Sequence, residues 1–142
     1  MVRTLIREMD TKSFIDKCAE EFLKMKEMQM PENFIYSKTG PHKKYSPSNP
    51  NWWYIRAASL LRRVYLNGPV GVSRLRSYYG GRKERGHKPE KTVRSGGGSI
   101  REILQQLETV GFVEKNKGKK PGRIISQKGD NFVKKIVSEA NK

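Results

Sequence analysis

A mainly α, winged-helix domain is predicted by three features of the sequence. Five stretches carry apolar residues at helical spacing, two of these are joined by a short Asn-Gly-Pro turn, and two short β-prone runs flank a Gly/Pro-rich basic turn. The joined helices form a helix-turn-helix core, and the β-hairpin that follows is its wing. An extra N-terminal helix and basic loops complete the chain. Its 142 residues are the length of one ordinary domain, so a single unit over 1–142 with one core is expected.

Ser13 to Met28 predicts the first helix, because Ile15, Cys18, Ala19, Phe22 and Met25 fall on one face. Asp10 or Ser13 is placed to cap it, and Pro31 stops it. The segment 31–50 then carries Pro31, Gly40, Pro41, Pro47 and Pro50 around His42, Lys43 and Lys44, which predicts an extended connector with a basic centre. Asn49 and Pro50 announce a second helix, since Asn caps the free amides and Pro is pre-shaped for the first helical position. This helix runs to about Leu66 with Tyr54, Ala57, Ala58, Leu61, Val64 and Tyr65 on its core side. Trp52, Arg56, Ser59 and Arg63 line the other side, with Arg62 at the flank. Trp52 there stacks on a base, packs the stems of the arginines or closes over the Pro-rich connector.

Asn67-Gly68-Pro69 turns the chain into a short third helix marked by Val72, Leu75, Tyr78 and Tyr79 and ended by Gly80 and Gly81. Residues 82–98 read as a basic, Gly-rich loop. Arg82, Lys83, Arg85, Lys88, Lys91 and Arg94 face only Glu84 and Glu90, with no apolar period. After Gly96-Gly97-Gly98, Ser99 and Glu102 make a capping box for a fourth helix to Val110, with Ile100, Ile103, Leu104, Leu107 and Val110 as its stripe and Gly111 as its end. Phe112 to Lys115 and Arg123 to Ser126 form the hairpin, whose turn holds Lys119 and Lys120. Phe132, Val133, Ile136, Val137 and Ala140 mark a last helix from about Gln127 to Ala140.

The charge narrows the function. Thirty Lys and Arg stand against fourteen Asp and Glu, a net +16, and self-repulsion on this scale is tolerated when a polyanion neutralises it. A membrane partner would require a fully apolar helix face or a spanning stretch of about 20 apolar residues, neither of which the sequence contains. The N-terminus has no long apolar h-region and already carries Glu8, so no signal peptide is read and an intracellular, cytoplasmic protein is expected. Cys18 is the single cysteine, which excludes an internal disulfide and a multi-cysteine zinc site and suits core packing. The three glycines before Ser99 lack the GxxxxGK[ST] pattern and a preceding buried strand, so no nucleotide or other cofactor is expected. His42 and His87 lie in basic loops without a nucleophile or paired carboxylate, so neither catalysis nor a small-molecule substrate is expected.

Nucleic acid is therefore the expected partner. A DNA-binding transcription regulator is the rival reading, because winged helices also read DNA. Against it, the fourth helix offers a mixed set, Arg101, Gln105 and Glu108, and the cations are spread over several loops, as suits a protein embedded in RNA. A third reading, a protein interaction module, would use Met25, Met28 and Met30.

The stretches Asn51-Trp52-Trp53-Tyr54-Ile55-Arg56-Ala57-Ala58-Ser59, Gly68-Pro69-Val70-Gly71-Val72 and Tyr79-Gly80-Gly81-Arg82 closely resemble the eukaryotic and archaeal small-subunit ribosomal protein nineteen family. Gly98-Ser99-Ile100-Arg101 and Leu104-Gln105-Gln106-Leu107-Glu108 extend the likeness to nearly the whole chain. The resemblance implies a winged-helix ribosomal protein in the head of the small subunit, contacting ribosomal RNA and neighbouring small-subunit proteins and taking part in subunit maturation. Its location would be the cytoplasmic ribosome, and the nucleolus during assembly if the source is eukaryotic. Where the family has Thr-Pro-x-Gly before the last helix, this chain has Ser126-Gln127-Lys128-Gly129, which puts that helix start in question. Arg56, Arg62 and Arg63 are the leading RNA contacts, followed by Arg82 and Arg101, with Trp52 and Ser59 on the same helix. Lys43, Lys44, Lys119 and Lys120 rest on loop charge alone.

Overall fold

The computed structural model describes residues 6–34 and 38–140. Helix α1 spans Thr11–Leu23, α2 Trp52–Asn67, α3 Val72–Tyr78, α4 Gly97–Val110 and α5 Gln127–Ala140. Two antiparallel hairpins accompany them: β1 (Gly81–Arg85) with β2 (Lys88–Val93), and β3 (Val113–Lys115) with β4 (Arg123–Ile125). The mainly helical winged-helix prediction is met, with β3–β4 as the wing. Val70, in the turn before α3, exchanges hydrogen bonds with Arg123 at 3.2 and 2.8 Å and so binds the wing to the helix-turn-helix pair.

Helix α2 is the central rod. Trp53, Ala57, Ala58, Leu60 and Leu61 are fully buried on it, and α1, α4 and β4 pack around it. The α1 stripe of Cys18, Ala19 and Phe22 is as the spacing predicts, with Phe14 buried in addition and Ile15 only partly so. Phe22, Phe112 and Phe132 form an aromatic cluster, with Phe112 and Phe132 stacked at 4.5 Å, that ties α1 to the foot of the wing and to α5. Burial raises the Cys18 thiol far above its ordinary value and keeps it protonated, as core packing requires.

Several boundaries differ from the sequence reading for local reasons. Helix α1 ends at Leu23 and not Met28. A 3₁₀ turn over Lys26–Met28 breaks away to bury Met28 in the core, so the Met25–Met30 segment does not present a continuous exposed apolar surface. Asp10 is its cap, receiving Lys12 N–H and the Ser13 hydroxyl. Helix α2 starts at Trp52, because the Asn49 side chain closes a turn onto the amide of Asn51 (2.9 Å) one step before the helix begins. Helix α4 starts at Gly97 with Gly96 as its cap residue, so the Ser99–Glu102 capping box is not formed. Gly111 closes that helix in the left-handed conformation at φ 99°, as predicted.

The largest correction concerns 82–98, which is a β-hairpin over most of its length and not a loop. Its pairs include Arg82 with Thr92 and Lys83 with Lys91, and Gly86 turns it at φ 74°. Residues 82–92 are exposed on both faces, which removes the alternation by which a strand is recognised. Helix α5 starts at Gln127 without the family's proline. Ser126 takes over, its hydroxyl bonding Gly111 O and accepting from Gly129 N–H. Residues 35–37 of the connector, and the side chain of Ala140 placed on the last stripe, lie outside the described residues.

Candidate nucleic-acid interface

Arg56, Ser59 and Arg63 recur on one face of α2, and the short α3 brings two tyrosines against that face. The Arg56 guanidinium carbon lies 4.0 Å from the centre of the Tyr79 ring, and that of Arg63 lies 3.8 Å from Tyr78. Ser59 Oγ meets the Tyr79 hydroxyl at 2.5 Å, and the two tyrosine rings meet edge to face at 4.9 Å. Burial lowers the Arg56 guanidinium, opposed by the Tyr79 ring, and raises the Tyr79 phenol. Arginine titrates so high that Arg56 stays charged. The result is a fixed row of guanidinium planes and phenol rings, with Tyr78 52% exposed at its open end. Tyr78 is therefore surface and not part of the apolar stripe of its helix.

Trp52 is only 8% exposed and meets Trp53 edge to face at 5.6 Å, so its main attachment is the core and not an outer cationic face. Its remaining edge borders the Pro-rich connector beside Tyr45 and Pro47. Trp52 and this stretch of the connector thus line a common groove.

A second basic zone surrounds α3. Arg76 Nε donates to Ser95 O (2.9 Å) and Arg94 to Ser73 O (2.7 Å), which fastens the end of β2 to the helix. Gly97 approaches Arg76, and Arg101, one turn further along α4, is exposed on the same side. A third zone is the cleft between the connector and the β1–β2 hairpin, about 470 Å³, where Lys38, His42, Lys43, Lys44 and Lys83 outnumber the single acid Glu84. His42 fits between two glycines: a Cβ on Gly40 would come 2.8 Å from its ring, and one on Gly81 would come 3.0 Å. Burial first, then Lys43 and Arg56, lowers the His42 pKa, so the imidazole is neutral at neutral pH.

The predicted residues are thus brought together in part. Arg56, Ser59 and Arg63 share one row, and Lys43 and Lys44 share the cleft with the hairpin. Arg82 is exposed on β1 and paired with Glu90 at 3.3 Å. Arg62 sits on another flank of α2 with its Nε buried and unpartnered. Lys119 and Lys120 are exposed in the β3–β4 turn, on the wing that attaches at the opposite end of α2 from the connector. Sequence reasoning missed Tyr78 and Tyr79 as partners of the arginines, and it missed His42, Arg76 and Arg94 as the groups that fix the hairpin. The one sequence signal was the Tyr-Tyr pair ending a helix just before Gly-Gly. Among the described residues no cluster of His, Cys, Asp or Glu could hold a metal ion.

Residues 5–142 match the family model described as ribosomal protein S19e. The chain belongs to the S19e family. It is 42% identical over 121 residues to small ribosomal subunit protein eS19 of Aeropyrum pernix, covering 82% of this chain and 78% of that protein. It is 37% identical over 138 residues to eS19B of Schizosaccharomyces pombe (96% and 94% covered), and 33% identical over 136 residues to eS19G of Ascaris suum (96% and 91% covered). As an S19e chain it is a structural ribosomal protein and not an enzyme. No helix among its described residues is long and apolar enough to cross a membrane.

Proposed function

We propose that the protein is a component of the small ribosomal subunit that binds ribosomal RNA in the subunit head, contacts neighbouring small-subunit proteins there and supports subunit maturation. The observation that carries the RNA contact is the row formed by Arg56, Ser59 and Arg63 of α2 on Tyr79 and Tyr78 of α3. Each guanidinium is held over a ring, which pre-positions its charge for a phosphate. The lysine cleft beside the hairpin and Arg82, Arg94 and Arg101 widen that face, and Arg62 adds a cation on the neighbouring flank of α2. Trp52 lies at the end of α2 that borders Lys43 and the connector. Lys119 and Lys120 add salt-sensitive affinity from the wing. The small-subunit naming of the relatives supports ribosomal RNA as the polyanion.

Gradient fractionation tests the reading: the protein should co-sediment with small subunits. Arg63→Glu should reduce incorporation and weaken RNA binding at least tenfold while the circular dichroism of the isolated protein stays unchanged, since the residue lies outside the core. Recovery only in free fractions, or unaltered incorporation of Arg63→Glu, would reject it.

A further inference from the structure

A second cavity lies beside the arginine–tyrosine row, and the row does not account for it. One wall is a face of α2, where Trp52, Ile55 and Arg56 recur at i, i+3 and i+4. The other is the connector, contributing Thr39, Tyr45 and Pro47, with Lys43 at the margin. The space is about 300 Å³, the lower end of the range for small-molecule sites and suited to one planar heterocycle with its sugar. Trp52 and Arg56 are anchored from behind, by Trp53 and Tyr79 respectively, whereas Tyr45 is 74% exposed, an unusual position for a large ring with no core role. Lys44 Nζ lies 5.5 Å from the Tyr45 ring, so a cation accompanies the aromatic on this side as well.

Apolar and aromatic walls with cations at the margin are complementary to a base attached to a phosphate. They are not complementary to a paired base, whose faces are already covered by its neighbours in the stack. We infer that this groove takes an unpaired nucleotide, its base lodged against Tyr45 and Trp52 and its phosphate held by Lys43 and Arg56. The inference rests on the RNA-binding reading and deepens it: the arginine row grips backbone, and the groove makes the protein prefer RNA that has a base to spare. The occupant is set by charge, since the rims carry lysine and arginine on a chain of net charge +16.

The test uses the full chain and two RNA hairpins that differ by one bulged 2-aminopurine. The bulged RNA should bind about tenfold more tightly, as expected for one stacked base, and its 2-aminopurine fluorescence should be quenched on binding. Tyr45→Ala, at an exposed position, should reduce the bulged RNA to the affinity of the plain hairpin, and Tyr45→Phe should restore the difference. Equal affinity of the wild type for both RNAs, or no effect of Tyr45→Ala on the bulged RNA, overturns the inference. If Arg63→Glu still weakens both RNAs, the RNA-binding reading stands without it. If neither RNA is bound, both fall. Loss of a protein neighbour from small subunits carrying Tyr45→Ala, with both RNA affinities unchanged, would assign the groove to a peptide and also overturn it.

Discussion

His42 shows what a single side chain does when the backbone closes around it. Held between Gly40 and Gly81 with Nδ1 buried and unpaired, it resists protonation in the folded state. Because its folded pKa lies below the ordinary value of 6.5, the unfolded chain binds the proton more readily as pH falls through that value. Stability contributed by the neutral imidazole is therefore full above the ordinary pKa and is lost on acidification. Chemical denaturation at pH 7.5 and 5.5 should show wild type losing stability at the lower pH and His42→Gln losing less. Gly129 is fixed in another way: a Cβ there would lie 2.1 Å from the Phe112 carbonyl oxygen. Gly129→Ala should cost about 3 kcal/mol or more, seen as a fall in Tm, because the colliding atom is backbone. At this scale the sequence was legible where spacing acts, as for Arg56 and Arg63. It was silent on His42, Arg76 and Arg94, whose partners are distant in the chain.

The elements divide by whether they have a face to bury. Helices α1, α2, α4 and α5 and the wing all pack on the core, and each announces itself by period and by its turn residues. The β1–β2 hairpin buries almost nothing, carries Pro89 within a strand and spends its side chains on solvent, so neither alternation nor β-propensity reveals it. What makes it a hairpin is the αL turn at Gly86 and the tethering of its base by Arg94 and Arg76. Helix α1 has the opposite character, since Phe22 binds it to Phe112 and Phe132 at once. Phe22→Ala should cost about 3–5 kcal/mol, measured by urea denaturation, and should loosen α1 from the wing and from α5 together.

For the whole molecule, net charge is the governing quantity. Lys24, Arg82, Arg123 and Lys134 make ion pairs among the described residues, and in three of the four the cation is half or more exposed, so they do little to offset a charge of +16. Without a polyanion the folded chain repels itself, and unfolding relieves that repulsion. Monovalent salt should therefore raise Tm between low and physiological ionic strength, as thermal melts would show, whereas a fold held by exposed ion pairs would lose stability over the same range. The sign of the charge and the need for a partner were legible from composition. Its distribution was not, because that depends on which end of α2 each loop reaches.

That distribution follows from the connector and the wing standing at opposite ends of α2. The helix has 16 residues and is about 24 Å long, while charges in physiological salt sense one another over only about 8 Å. A cluster of anions at Lys43 and Lys44 is therefore invisible to Lys119 and Lys120. No small polyphosphate can quiet this protein at both ends; whatever does so must be at least as broad as the rod is long.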